Sequence, residues 1–141
     1  YHQAALKASP RHPSYRRSYR TNRWIFSEVL LALKDHAAAA GMIAQFLEAA
    51  VEPPRDAYTA ACLFAGCVKL AAADGRLSES MRQELTATYG DSALAALRLA
   101  IERRAKEVAQ IKTDKSLDPL RSRQDFQKLV AEVDAKPDRE S

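Results

Sequence analysis

Tyr15, Tyr19, Phe26, Leu30 and Leu33 follow one another at steps of four, seven, four and three residues. A helix with about 3.6 residues per turn carries such a set on one face for about five turns. Ser14 stands where it can cap that helix. Lys34-Asp35-His36 reads as a tight turn into a second helix, Ala37 to about Val51, with Ile43, Phe46, Leu47 and Ala50 facing inward. Glu52-Pro53-Pro54 stops it, because proline lacks the N–H and crowds the preceding turn. A third helix runs from about Arg55 to Ala73 with Tyr58, Ala61, Cys62 and Ala65 on its packing side, and Asp74-Gly75 breaks it. Ser78 with Met81 starts the next, which carries Ala93, Leu97, Ala100 and Ile101 to about Val108. Tyr89-Gly90-Asp91 is a candidate kink, which leaves residues 78–108 as one helix or two. Ser122 with Asp125 then resembles the start of a capping box for a last helix bearing Phe126, Leu129, Val130 and Val133.

Between the bulky positions lie small-residue runs, Ala37 to Ala40, Ala57 to Ala61 and Ala93 to Ala100. Ala on a packing face lets helix backbones approach closely, so these runs point to helices stacked side by side. Only four glycines and no Val-Ile-Thr alternation argue against strands. The expected fold is all-α, an antiparallel helix-pair array of about five or six helices in one domain over 1–135. Within it, 1–10 reads as the end of a preceding repeat, 14–52 as a first helix pair, 55–108 as a second, expanded pair, and 117–135 as a C-terminal capping helix. Residues 136–141 read as a frayed tail.

Composition narrows the function classes. With 141 residues there is little room for separate catalytic and regulatory lobes. Lys and Arg number 22 against 18 Asp and Glu, for a net charge of +4, a balance that permits nucleic acid without indicating it. No stretch approaches the roughly 20 apolar residues of a membrane span, and no signal peptide opens the chain. Cys62 and Cys67, five residues apart, project roughly 140° from each other around a helix and cannot bridge. Free thiols suit a reducing cytoplasm, the expected location. The opening at Tyr1 rather than Met points to a piece of something longer.

Candidate chemistry is sparse. His2, His12 and His36 are scattered and read as surface or capping residues, not metal ligands. Asp74-Gly75-Arg76-Leu77-Ser78 lacks the alternating acidic ligands and closing Glu of a calcium loop and reads as a turn. Ala61, Leu63, Phe64 and Val68 around the cysteines promise buried, unreactive thiols. Arg11, Arg16, Arg17, Arg20 and Arg23 interleave with Tyr15, Tyr19 and Trp24. Arginines beside aromatics neutralise phosphates and stack on bases in single-strand binders, yet helical spacing assigns the tyrosines to the core and the arginines to the wet face. A third reading makes the arginines a docking surface for an acidic partner protein. No metal and no cofactor is expected.

The helix pairs resemble tetratricopeptide repeats. On second helices the spacing of Ala, a bulky residue four later and a small one three later stands as Ala93, Leu97, Ala100, and more loosely as Ala39, Ile43, Phe46. Ala5 and Pro10 keep the step that closes a repeat. On first helices Phe26, Ser27 and Leu30 stand where Leu, Gly and Tyr are expected, and Tyr58, Ala61, Cys62 and Ala65 fit the corresponding set. Trp24 sits one residue off its place, and the link from Ala73 to Tyr89 is too long for a repeat turn.

Together with Tyr58-Thr59-Ala60-Ala61-Cys62, Tyr89-Gly90-Asp91 and the ending Leu117-Asp118-Pro119-Leu120-Arg121 to Asp125-Phe126-Gln127-Lys128-Leu129, these departures resemble the C-terminal repeat region of large serine/threonine protein kinases of planctomycete-type bacteria. That resemblance implies a non-catalytic regulatory or scaffolding segment that binds a protein or peptide. The chain has no Gly-rich phosphate loop, no His-Arg-Asp and no Asp-Phe-Gly, so this segment is not expected to be an enzyme. A tetratricopeptide-like concave surface would be lined by Arg20, Trp24, Glu28 and Leu31 on one first helix and Thr59 and Leu63 on the other. The Lys and Asn that grip a C-terminal carboxylate in some family members are not at these positions. The alternative function is a basic helical nucleic-acid-binding domain. The sequence leaves the oligomeric state open.

Overall fold

Each apolar segment of the sequence becomes a helix whose ends are set by local backbone chemistry. The computed structural model describes residues 13–49 and 54–135. The expected repeat remnant at 1–10, His2, His12 and Arg11, the Glu52-Pro53 stop and the tail 136–141 lie outside the described residues, as do the side chains of Ser14, Tyr15 and Arg16. The helices are α1 Pro13–Ala32, α2 His36–Ala49, α3 Arg55–Ala72, α4 Glu79–Glu102 and α5 Gln124–Asp134, with 3-10 helices Lys106–Gln110 and Lys115–Leu120 between the last two. The described residues are all helix and connection, an all-α array.

Two helix ends are built without glycine. At the end of α1, Lys34 takes φ 64°, the Asp35 N–H donates to the Leu30 carbonyl at 2.9 Å and the Lys34 N–H to Leu31 at 3.0 Å. This is the Schellman arrangement, which satisfies carbonyls that have no partner inside the helix. Arg104, with φ 58°, closes α4 in the same way through Ala105 to Ala100. The expected continuation of α4 to Val108 is therefore corrected: the helix ends at Glu102, and residues 106–110 wind as a 3-10 turn. Tyr89-Gly90-Asp91 does not split it. One helix of 24 residues runs through.

Starts follow capping rules in two cases and depart in two, one of them α3, whose N-cap Pro54 offers no side-chain cap. The Asp35 carboxylate accepts from the Ala38 N–H, capping α2 one residue earlier than its expected start at Ala37. Ser78 accepts from the Met81 N–H and caps α4 as its position suggests. The expected Ser122–Asp125 box does not form. Arg123 holds the N-cap position without a side-chain cap, and its guanidinium takes Asp125 instead.

α3 is the centre of the array, packed by α1, α2, α4 and both 3-10 helices. Ala57, Ala60, Ala61, Ala65 and Ala71 are fully buried along it, and Ala93, Ala96 and Ala100 are fully buried along α4. These small residues bring α3 and α4 together over the most extensive contact in the molecule. Ile43 and Phe46 of α2, Leu97 of α4, Leu117 and Leu120 of the second 3-10 helix, and Phe126 and Leu129 of α5 complete one core. The three-residue connection after α1 and the six-residue connection after α3 turn the chain back on itself, so each pair runs antiparallel.

Gly90 is needed for a close approach. A Cβ there would lie 2.0 Å from Arg123 Nη1, because the guanidinium crosses α4 at this point to reach the Ala87 carbonyl and Asp91. That crossing fastens the start of α5 to α4. Asp125, and then Asp91, hold the Arg123 guanidinium above its ordinary range.

Candidate interaction surface

α1 has two apolar faces, and among the described residues only one of them is packed against a neighbour. The expected face of Tyr19, Phe26, Leu30 and Leu33 is corrected by the packing: Tyr19 and Ser27 are buried, Leu30 and Leu31 half-buried, whereas Phe26 and Leu33 point outward. At about 100° per residue the inward line is Tyr19, Arg23, Ser27, Leu30 and Leu31. Most polar groups on that line find partners inside, although the buried Arg23 Nε has none. The Ser27 hydroxyl donates to the Arg23 carbonyl at 2.7 Å, and the Arg23 guanidinium donates to Gln45 at 3.1 Å while lying over the Tyr19 and Phe26 rings.

The outward line is Ile25, Phe26, Val29 and Leu33, exposed by 54%, 45%, 46% and 70%. These residues span an arc of about 100°, the width of a stripe that ordinarily faces a core. Among the described residues they make up, with Trp24, five of the six large exposed hydrophobic side chains, so the exposed apolar side chains described are concentrated along α1 and its end.

The residues expected to line a concave surface fall on another flank of α1 and on α3, and most are packed. Arg20 forms a hydrogen-bonded ion pair with the buried Asp56 at the start of α3. Leu31 lies against Gly66 of α3, 3.4 Å from where a Cβ would stand. Leu63 is buried in the core and Thr59 is half-buried. Trp24, exposed by 37%, tilts against Phe46 with ring centres 6.5 Å apart. Of the six, only Glu28 and Trp24 are exposed to solvent. The expected groove is thus largely the seam where α1 meets α2 and α3. The stripe one quarter-turn or more away was missed because Phe26 and Leu33 fit an inward helical face by period alone.

Beyond Leu33 the stripe runs into a cleft of about 560 Å³ lined by Lys34, Asp35, His36, Asp74, Arg76 and Leu77, with Leu33 on its wall. Its floor is a polar tie between distant elements. His36 is buried, correcting its reading as a surface residue. His36 Nε2 lies 2.9 Å from Asp74 Oδ2 and Nδ1 lies 2.9 Å from Tyr89 Oη. The carboxylate only accepts, so Nε2 donates to it; in the neutral ring Nδ1 then accepts from the tyrosine hydroxyl. Hydrogen bonds from Arg76, then from His36, hold the Asp74 carboxyl well below the usual carboxylate range. Asp74 also accepts from the Arg76 backbone N–H, confirming the turn read there. No sequence signal links His36 to Tyr89, which lies 53 residues away.

Other titratable groups serve packing. Tyr58 donates to Asp114 at 2.7 Å, and burial raises the phenol far above its ordinary value. Burial pushes the thiols of Cys62 and Cys67 up to about 12, so both stay protonated and unreactive at neutral pH. Among the described residues no three His, Cys, Asp or Glu side chains gather as metal ligands, and no helix is long and apolar enough to cross a membrane. No protein-family model matches the chain, and no curated protein or solved structure is significantly similar to it.

Proposed function

We propose that this chain is a protein-interaction module and that its contact surface is the outward stripe of α1. The observation behind this reading is the second apolar face: an amphipathic helix at the edge of an array needs one such face, and α1 has two. Exposed apolar patches of this kind mark interaction sites. Burying the exposed remainder of Ile25, Phe26, Val29 and Leu33 contributes on the order of 1 kcal/mol each, enough for a partner and too costly to leave bare without one.

The wider reading follows the resemblance to the C-terminal repeat region of planctomycete-type bacterial serine/threonine protein kinases, with the segment acting as a regulatory or scaffolding element and not as a catalyst. The buried triplets Ala93, Leu97, Ala100 and Ala39, Ile43, Phe46 support tetratricopeptide-like pairing. A cytoplasmic setting fits two unbridged thiols. The nucleic-acid alternative is less well supported, because Arg20 and Arg23 are engaged within the protein.

The test is affinity capture with the wild-type chain and an Ile25→Asp/Val29→Asp variant, followed by mass spectrometry of what each retains. A defined protein held by the wild type and lost by the variant, at unchanged melting temperature, supports the reading. Identical retained sets overturn it. Retention of nucleic acid that falls steeply with salt would favour the alternative.

A further inference from the structure

α5 is held differently from the other four helices. Among the described residues those four make extensive backbone approaches to their neighbours, and α5 makes none. It is seated by side chains instead. Phe126 and Leu129 are buried and Val130 and Val133 are half-buried against the core, a set that shares one helical face at steps of three, one and three residues. Every other residue of α5 is exposed.

An ion pair fastens each end of α5 to a different element. At the start, Arg123 reaches Asp91 of α4 at 2.6 Å and donates to the Ala87 carbonyl at 3.3 Å. At the finish, Lys112 Nζ, in the connection between the two 3-10 helices, lies 2.9 Å from Asp134 Oδ2. Asp91, Lys112 and Asp134 are exposed, so salt weakens both pairs.

Little keeps this helix wound once it leaves its seat. It has 11 residues, and isolated helices shorter than about 12–15 residues are marginal in water. Its N-cap offers no side-chain cap, and its last turn carries Glu132 and Asp134 with no basic residue, against the helix dipole. The rest of the core is closed without it. α3 packs against α1, α2, α4 and both 3-10 helices. Arg121 is tied back to Asp118 and to the Asp114 carbonyl, which puts the pivot at the exposed Ser122.

We propose that α5 is a strap that releases and re-seats as a unit while α1 to α4 and the 3-10 helices stay folded, and that its two end ion pairs set how often it opens. Release uncovers the apolar seat of Phe126 and Leu129, so the strap keeps a second apolar surface of the molecule closed. Elements with few packed contacts are the ones that open below the global unfolding free energy.

Hydrogen exchange of the full chain, followed residue by residue by NMR over a range of low urea concentrations, tests the strap. Amides 128–134 should share one opening, lower in free energy than that of the α3 and α4 amides and less dependent on urea. Asp91→Asn and Lys112→Gln each remove one fastener from outside α5, leaving its own helix propensity unchanged. Each should speed exchange of 128–134 about two- to five-fold, the effect of one exposed ion pair. Salt at about 0.5 M should speed the wild type likewise and leave the double variant nearly unmoved.

Amides 128–134 that exchange with the free energy and urea dependence of α3 would show that α5 unfolds only with the core, and the strap is overturned. Protection that declines steadily toward Asp134 would mean fraying, and no protection at all would mean that α5 has no stable seat; either result also overturns it. A shared early opening that neither salt nor the two variants move would remove the ion pairs as its control and sink the inference.

Discussion

α1 and α3 are of similar length, 20 and 18 residues, and differ in almost everything that decides their roles. α3 is covered on nearly every side and packs through alanines, so its contacts are dry, close and intolerant of change. Among the described residues α1 is covered on one side only. Its inner face carries an unusual share of polar contacts, Arg20 to Asp56 and Arg23 to Gln45, and its outer face carries the largest exposed apolar side chains. The difference teaches that apolar content does not measure burial. α3 uses small residues to bring backbones together, and α1 keeps large ones where a neighbour is missing.

The strongest way to break this comparison is to put a charge into each region. Ala93→Glu and Ala100→Glu force a carboxylate into the contact between α3 and α4, where both alanines are fully buried. Each should cost several kcal/mol and abolish a cooperative thermal transition followed by circular dichroism. A normal melt for either would show that this interface is looser than its burial indicates. Next in size is Phe126→Ala, which empties a buried position joining α5 to the core. It should cost about 3–5 kcal/mol, and urea titration measures it.

The polar floor of the cleft comes between the extremes. His36→Ala strands the buried Tyr89 hydroxyl and leaves Asp74 Oδ2 with Arg76 alone, with an expected loss of about 1–3 kcal/mol. Acid titration sharpens the point. The folded-state Asp74 carboxyl is held well below its ordinary value, so its contribution to stability is complete above the unfolded value of about 3.9 and is lost as pH falls below it toward the folded value. Asp74→Asn should therefore flatten the acid limb of the stability curve and leave less to lose below pH about 4. An acid limb of unchanged slope would mean that other carboxylates, Asp114 and Asp125 among them, carry the effect.

Smaller changes are expected at the helix ends and on the outer face of α1. Lys34→Gly and Arg104→Gly relieve left-handed backbone at 64° and 58°, and each should stabilise by up to about 1 kcal/mol. A loss at either site would mean that the side chain does more than its exposure shows. Ile25→Asp/Val29→Asp should move the stability by less than about 0.5 kcal/mol, the smallest effect of all, because these side chains are about half exposed and lie outside the core. A large loss there would erase the contrast between α1 and α3.

Much of the array was legible from period and punctuation. Arg55 to Ala73 came within one residue of α3, Ser78 capped α4 as its position required, and Phe126 and Leu129 are buried in the core as their spacing implies. The end of α4 was not legible, because its stop is written as Arg104 in a left-handed conformation and not as glycine. The α5 start was misread, because Arg123 is drawn to Asp91 and Asp125 across Gly90, and that attraction depends on α4 being in place.

The candidate surface was half legible. α1 was the right helix, but Arg20, Leu31 and Leu63 belong to packing while Ile25 and Val29, given no role by the spacing, lie open. Period alone tells which residues share a face. It cannot tell which of two apolar faces meets a neighbour.

The sequence by itself determined the helices, since apolar period, small-residue runs and caps are local properties that act wherever the chain happens to lie. Only the tertiary structure decided which face of α1 turned inward. That choice was made by groups far apart in the chain, Arg20 finding Asp56 and Leu31 finding Gly66, and no spacing within a single helix encodes a contact with another.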